Sequence, residues 1–157
     1  MPNPAVPGRV ASAHPTLRIG NDPGSLASLY DWLDSAAKTA APDMTLSAAT
    51  LCAMHVALEE AVANVAMHAF PGSTQDGIVV SLLASAEAAT LTIEDTGPPF
   101  DPTRPHAASS AASLEDAEPG GLGLRLLRHY CPDVGYERDG GRNRLTLRFV
   151  TGPALGA

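Results

Sequence analysis

Glu60 and Asn64 stand one helical turn apart in "LEEAVANVAMHAF", residues 58–70, surrounded by small apolar side chains. At i and i+4 their side chains are neighbours on one helix face, and a carboxylate beside an amide offers a proton acceptor and a neutral oxygen. Two further stretches have chemical potential. "DTGPPFDP" places Asp95 and Gly97 directly after a strand-like run, and "EPGGLGLRLL" places Gly120, Gly121 and Gly123 at the start of a helix-like one. Glycines let backbone N–H groups approach a polyphosphate, and a helix N-terminus attracts negative charge. Each stretch also has an ordinary explanation taken alone. Glu60 is then a solvated helix carboxylate, Asn64 an amide serving backbone groups, Asp95–Gly97 a turn, and the glycines a flexible cap.

Lysine usage narrows the choice. The P-loop and the eukaryotic-type kinase strand both require a lysine on phosphate, and Lys38 is the only lysine in the chain. It lies in a helical pattern without a glycine loop, so both solutions are excluded. "GGLGLRLL" lacks G-x-G-x-x-G and falls late in the chain, which disfavours a dinucleotide fold. A nucleotide must be held by other means.

The elements that position these residues follow from periodicity and caps. "TLRIG" predicts a short strand. Asp22 as cap, Pro23 at the first helical position and Leu26, Leu29, Trp32 and Leu33 at helical spacing predict a first helix. Thr45 or Ser47 caps a second helix reaching about His68, with a stripe of Leu51, Met54, Leu58, Val62, Val65 and Ala69. Glu60 projects from nearly the opposite side, with Asn64 between. "GIVVSLLAS" and "ATLTIED" predict a hairpin, and residues 96–119 a long loop poor in large apolar groups. "GGLGLRLLRHY" becomes a short helix. "DVGYERDGGRNRLTLRFV" predicts two strands turning at Asp139-Gly140-Gly141, with Leu145, Leu147 and Phe149 inward. This order predicts an α+β two-layer sandwich, a mostly antiparallel mixed sheet covered by helices. The domain is expected over residues 16–151, between a flexible arm (1–15) and a short tail (152–157).

Composition agrees with one soluble domain: 157 residues, 45% hydrophobic and 17% charged. A net charge of −7 and a pI near 5.0 argue against direct binding to nucleic acid or to an anionic membrane. Cys52 and Cys131, without CxxC spacing, are expected as buried reduced thiols. No signal-length or spanning apolar run is present, and a cytoplasmic location is expected.

Taken together, Glu60-x-x-x-Asn64, "DTGPPFDP" and "GGLGL" resemble the N, G1 and G2 boxes of the ATPase superfamily that includes gyrase, histidine kinases and MutL, with its Bergerat-type ATP-binding fold. "EEAVANVAMHAF" and "GGLGLRLLRHY...YERDGGRNRLTL" more narrowly resemble the stand-alone serine/threonine kinases and anti-sigma factors of the RsbW type. The resemblance implies ATP and Mg²⁺ as cofactors. It makes Asn64 the metal ligand, Glu60 the general base, and Asp95 with Gly97 the adenine contact, joined through water by Thr146. It gives the backbone of Gly120, Gly121, Leu122, Gly123 and Leu124 to the phosphates, and residues 101–119 to an ATP lid. The implied activity is phosphorylation of a serine or threonine on an anti-sigma-factor antagonist, by a homodimer for which a sigma factor competes.

Some positions depart from the family pattern or stand outside it. Met67 stands where many relatives carry lysine. His68 is expected as a structural histidine, Glu59 as a solvated face residue, and Arg104 is a weak candidate for the γ-phosphate. Two alternatives remain: a non-catalytic module holding ATP structurally, which an intact Glu60 opposes, and a detached histidine-kinase catalytic domain. The expectation is against the latter, since no dimerisation helix with a phospho-acceptor histidine is readable before residue 16.

Overall fold

The computed structural model describes residues 14–40, 42, 45–69, 77–104 and 121–151. The expected arm up to residue 13, the tail from 152, the loop from 105 to 119 and Gly120 lie outside the described residues. The chain runs β1 (Thr16–Ile19), α1 (Pro23–Ala40), α2 (Ala48–Ala69), β2 (Ile78–Ala84), β3 (Ala88–Asp95), α3 (Gly121–Tyr130), β4 (Asp133–Asp139) and β5 (Arg142–Val150).

Local chemistry sets the boundaries. Asp22 caps α1, accepting from the Ser25 amide at 2.9 Å, and Pro23 is its first residue. Ser47 caps α2 by accepting from the Thr50 amide at 3.0 Å. Gly140 and Gly141, with φ of 54° and 78°, form the two-residue turn between β4 and β5. Positive φ at both central residues lets a hairpin follow the strand twist, and glycine adopts it without steric cost.

The five strands form one sheet in the order β1-β2-β3-β5-β4, and all four pairings are antiparallel. Helices cover one face. Strand alternation arranges that face in rows: Leu82, Leu91 and Leu147 pair across β2, β3 and β5, and Val80, Ile93 and Leu145 form the next row. Leu33, Met54, Leu58 and Val62 pack onto these rows in the same core. Cys131 is buried as expected, and burial pushes its thiol up to about 11, but Cys52 is exposed. It follows Leu51 by one residue, a rotation of about 100° off the stripe. Among the described residues no helix is long and apolar enough to cross a membrane.

Leu91 is fully buried in the central strand between two other buried leucines. Leu91→Ala is expected to lower unfolding free energy by about 2–5 kcal/mol, measured by urea denaturation.

Candidate functional site

The site begins where α3 meets α2. Gly123, in the first turn of α3, lies so close to α2 that a Cβ on it would collide with Glu60 Oε2 and stand 3.9 Å from Asn64 Nδ2. The glycine therefore lets the start of α3 rest on the polar pair. Asn64 is buried, and its Nδ2 finds no partner among the described residues. Glu60 is half-buried. Desolvation, reinforced by the neighbouring Glu59 carboxylate, raises its pKa above the ordinary glutamate value.

The second part lies at the end of the sheet. Asp95, the last residue of β3, is buried and accepts on Oδ1 from the Gly97 amide and from Asn143 Nδ2, each at 2.8 Å. Asn143 pairs with Asp95 in register from β5. Its Oδ1 accepts from the Tyr136 hydroxyl at 2.8 Å and from Arg138 Nη1 at 2.6 Å. Arg138 also donates to the Gly97 carbonyl at 2.9 Å. One pocket joins the two parts: Asn64, Ala61 and Val65 line one side, Asp95, Asn143, Tyr136 and Leu145 the other, and Phe100, Pro102 and Leu127 complete it.

Glu60, Asn64 and Gly123 are thus brought together, and Asn64 shares a pocket with Asp95. Gly121 opens α3, and Leu122 is exposed beside Gly123. Leu124 packs its partly buried side chain against the core. Thr146 is not brought to Asp95. Side chains alternate along β5, and Thr146 faces away from Asn143, opposite Thr92 and Gly135 on the sheet face without helices. The residue that meets Asp95 is Asn143.

Asn143, Tyr136 and Arg138 were not singled out from the sequence. A signal existed, because Asn143 is the polar member of the inward series Asn143, Leu145, Leu147, Phe149. His68 stacks on Phe100, rings 4.0 Å apart and 12° from parallel, tying the end of α2 to the "DTGPPF" segment. Met67 is exposed. Arg104 pairs with Asp101 at 3.1 Å, while Arg128 of α3 donates to the carbonyls of Pro102 and Arg104.

With a layer of helices on an antiparallel sheet and a polar pair under a glycine-started helix, the chain matches the histidine kinase-like ATPase domain family over residues 21–149. The serine/threonine-protein kinase BtrW of Bordetella bronchiseptica is 39% identical over 104 residues, 66% of this chain and 70% of that protein. The serine-protein kinase RsbW of Listeria monocytogenes is 31% identical over 101 residues, 62% of this chain and 64% of its own, so slightly less than two thirds of that relative is spanned. The solved RsbU and RsbW domains of a Mycobacterium tuberculosis protein superpose with a TM-score of 0.58 at 14% identity, covering 89% of this chain and 34% of that one. A chain of the SiaB–SiaC complex from Pseudomonas aeruginosa gives 0.52 at 13%, covering 86% and 88%. At these identities the two structures speak to fold alone. The chain belongs to the histidine kinase-like ATPase family and, within it, to the RsbW type.

The raised pKa of Glu60 has a consequence for stability. The fold holds the proton to higher pH than the unfolded chain does, so stability falls as pH rises from the unfolded value through the folded one, and the penalty persists above it. Glu60→Gln is therefore expected to melt no lower than the parent at neutral pH. Any gain should vanish near about pH 4, where an unfolded glutamate is itself largely protonated; thermal melts at the two pH values check this.

Proposed function

We propose that this chain is an ATP- and Mg²⁺-dependent protein kinase that phosphorylates a serine or threonine of an anti-sigma-factor antagonist. It would act as a homodimer in a partner-switching system in which a sigma factor competes. The observation that carries the proposal is the contact of Gly123 with Glu60 and Asn64, which sets a phosphate-type helix start directly on a base and an amide. The names of the kinases it resembles supply the acceptor class.

Each residue then has a task. The Asp95 carboxylate accepts from the exocyclic amine of adenine inside the pocket it shares with Asn64. Backbone N–H groups at the start of α3, unpaired by helix geometry, face the phosphates. The buried Asn64 amide, whose Nδ2 has no partner among the described residues, fits a metal: turning it exchanges its nitrogen for its oxygen, a hard neutral ligand. Mg²⁺, when bound, neutralises charge on the phosphate oxygens. Glu60 takes the proton of the acceptor hydroxyl while the bond from that oxygen to the γ-phosphorus forms and the bond to the leaving ADP oxygen breaks. Its raised pKa makes it a stronger base than a solvated glutamate. The new phosphate adds charge at the partner surface and weakens that complex.

Glu60→Gln keeps size and shape but loses the base. It is expected to bind Mg-ATP like the parent and to transfer phosphate roughly 10²–10⁴-fold more slowly in a single-turnover assay with γ-labelled ATP and the antagonist. Undiminished transfer would remove Glu60 from the chemistry. In the parent, transfer should fall as pH drops, with the acidic limb displaced above the ordinary glutamate range. Asn64→Ala is expected to abolish the Mg²⁺-dependent part of ATP affinity in calorimetry; retention of that dependence in a folded variant would exclude Asn64 as the ligand.

A further inference from the structure

We infer that Asn143, locked by Tyr136 and Arg138, is a positioning residue that sets the purine preference of the pocket by acting through Asp95. The inference rests on the nucleotide reading proposed above and adds residues that reading did not contain.

The orientation of Asn143 is fixed by its neighbours. Arg138 has donors and no acceptor, so the Asn143 atom 2.6 Å from its Nη1 is the amide oxygen. The Tyr136 hydroxyl donates to the same oxygen. The amide nitrogen must then face the other way, where it meets only acceptors: Asp95 Oδ1 at 2.8 Å, the Pro98 carbonyl at 3.0 Å and the Gly97 carbonyl at 3.3 Å. A flipped amide would set oxygen against all three acceptors and nitrogen against the Arg138 guanidinium, which can only donate.

This lock determines what Asp95 presents. Its Oδ1 already receives two N–H donors, from Gly97 and Asn143, which fix the rotation of the carboxylate. Oδ2 has no donor among the described residues, and Asp95 and Asn143 both line the pocket. A rotationally fixed carboxylate accepts hydrogen bonds and donates none. It therefore suits a 6-amino purine and repels a 6-oxo purine, whose carbonyl would face a negative oxygen with no proton between them. Without the Asn143 donor, Asp95 is freer to turn away, which displaces both the acceptor that a 6-amino purine needs and the negative oxygen that a 6-oxo purine meets. Asp95 and Asn143 are 5% and 4% exposed, so water offers little substitute for the missing partner. A purely structural brace at the end of the sheet makes a different statement: its loss would lower stability and weaken all nucleotides alike.

The test measures affinities for Mg-ATP and Mg-GTP by calorimetry, with thermal melts, for the parent, Asn143→Leu, and the Tyr136→Phe/Arg138→Met double variant. Asn143→Leu removes the donor at similar volume. It is expected to weaken ATP by about 10- to 100-fold, the range for a lost hydrogen bond to a charged group, and to weaken GTP far less, so that the preference collapses. The double variant leaves Asn143 in place but free to turn, and its ATP-to-GTP preference is expected to fall about 3- to 10-fold. If Asn143→Leu does not fold, the double variant carries the test. An unchanged preference in a folded Asn143→Leu, or equal losses for both nucleotides, overturns the inference while leaving the ATP site standing. Collapse in Asn143→Leu with no change in the double variant overturns the lock. A parent chain that binds neither nucleotide overturns the nucleotide reading and this inference with it.

Discussion

The close approach of α3 to α2 at Gly123 is the contact on which the site depends. Gly123 and Leu127 lie one turn apart on the same face of α3. Leu127 is buried in the core, and it anchors the helix so that Gly123 comes to rest on Glu60 and Asn64. A side chain at 123 would have to displace the Glu60 carboxylate. Remove the approach, and Glu60 becomes the solvated helix carboxylate that its sequence context alone describes. Burial raises its pKa, and the Gly123 approach lies against its carboxylate. Arg128, next to Leu127, extends the same anchorage to the pocket wall through the Pro102 carbonyl.

The sheet divides its labour along its length. Two rows of buried aliphatic side chains cross β2, β3 and β5 under the helices, and the next positions on the same face carry Asp95, Asn143 and Arg138. A buried carboxylate and amide are costly unless their hydrogen-bonding capacity is filled. Here the amide is filled on both sides. The polar row therefore needs the apolar rows to fix strand register, because a slip of one residue would turn Asn143 outward and bring Arg144 inward. The apolar side chains are concentrated in the leucine rows and the buried polar ones in the row beyond them.

Much of this was legible in the sequence, for local reasons. The caps at Asp22 and Ser47, the stripe of α2, the alternation of β3 and β5 and the Gly140-Gly141 turn are short-range signals, and each element forms where they placed it. The three motifs pointed to α2, the end of β3 and the start of α3, and these meet. What failed was long-range. The resemblance pairs Thr146 with Asp95, yet alternation with Leu145 and Leu147 sets it on the other face. Asn143 was visible as a polar residue in an inward series, but its meaning depended on Asp95 being its partner 48 residues away. Cys52 illustrates the same limit in a helix, since an apolar neighbourhood in sequence spreads over all sides in space.

On the proposed reading, the distribution of charge explains why a metal should matter so much here. The chain carries a net charge of −7 and a single lysine, in α1, and Met67, near the end of α2, supplies an exposed thioether and no charge. Glu59 and Glu60 add negative charge beside the site, and Arg104 is engaged by Asp101. A triphosphate approaching such a surface meets few fixed side-chain cations among the described residues. Its charge must be met by the backbone amides at the start of α3 and by whatever cation Asn64 holds. Those amides are partial charges effective only over the first turn, so the larger share falls to the metal. A neutral amide ligand suits that task, because a carboxylate at 64 would bind the cation more tightly but cancel part of the charge that the phosphates require.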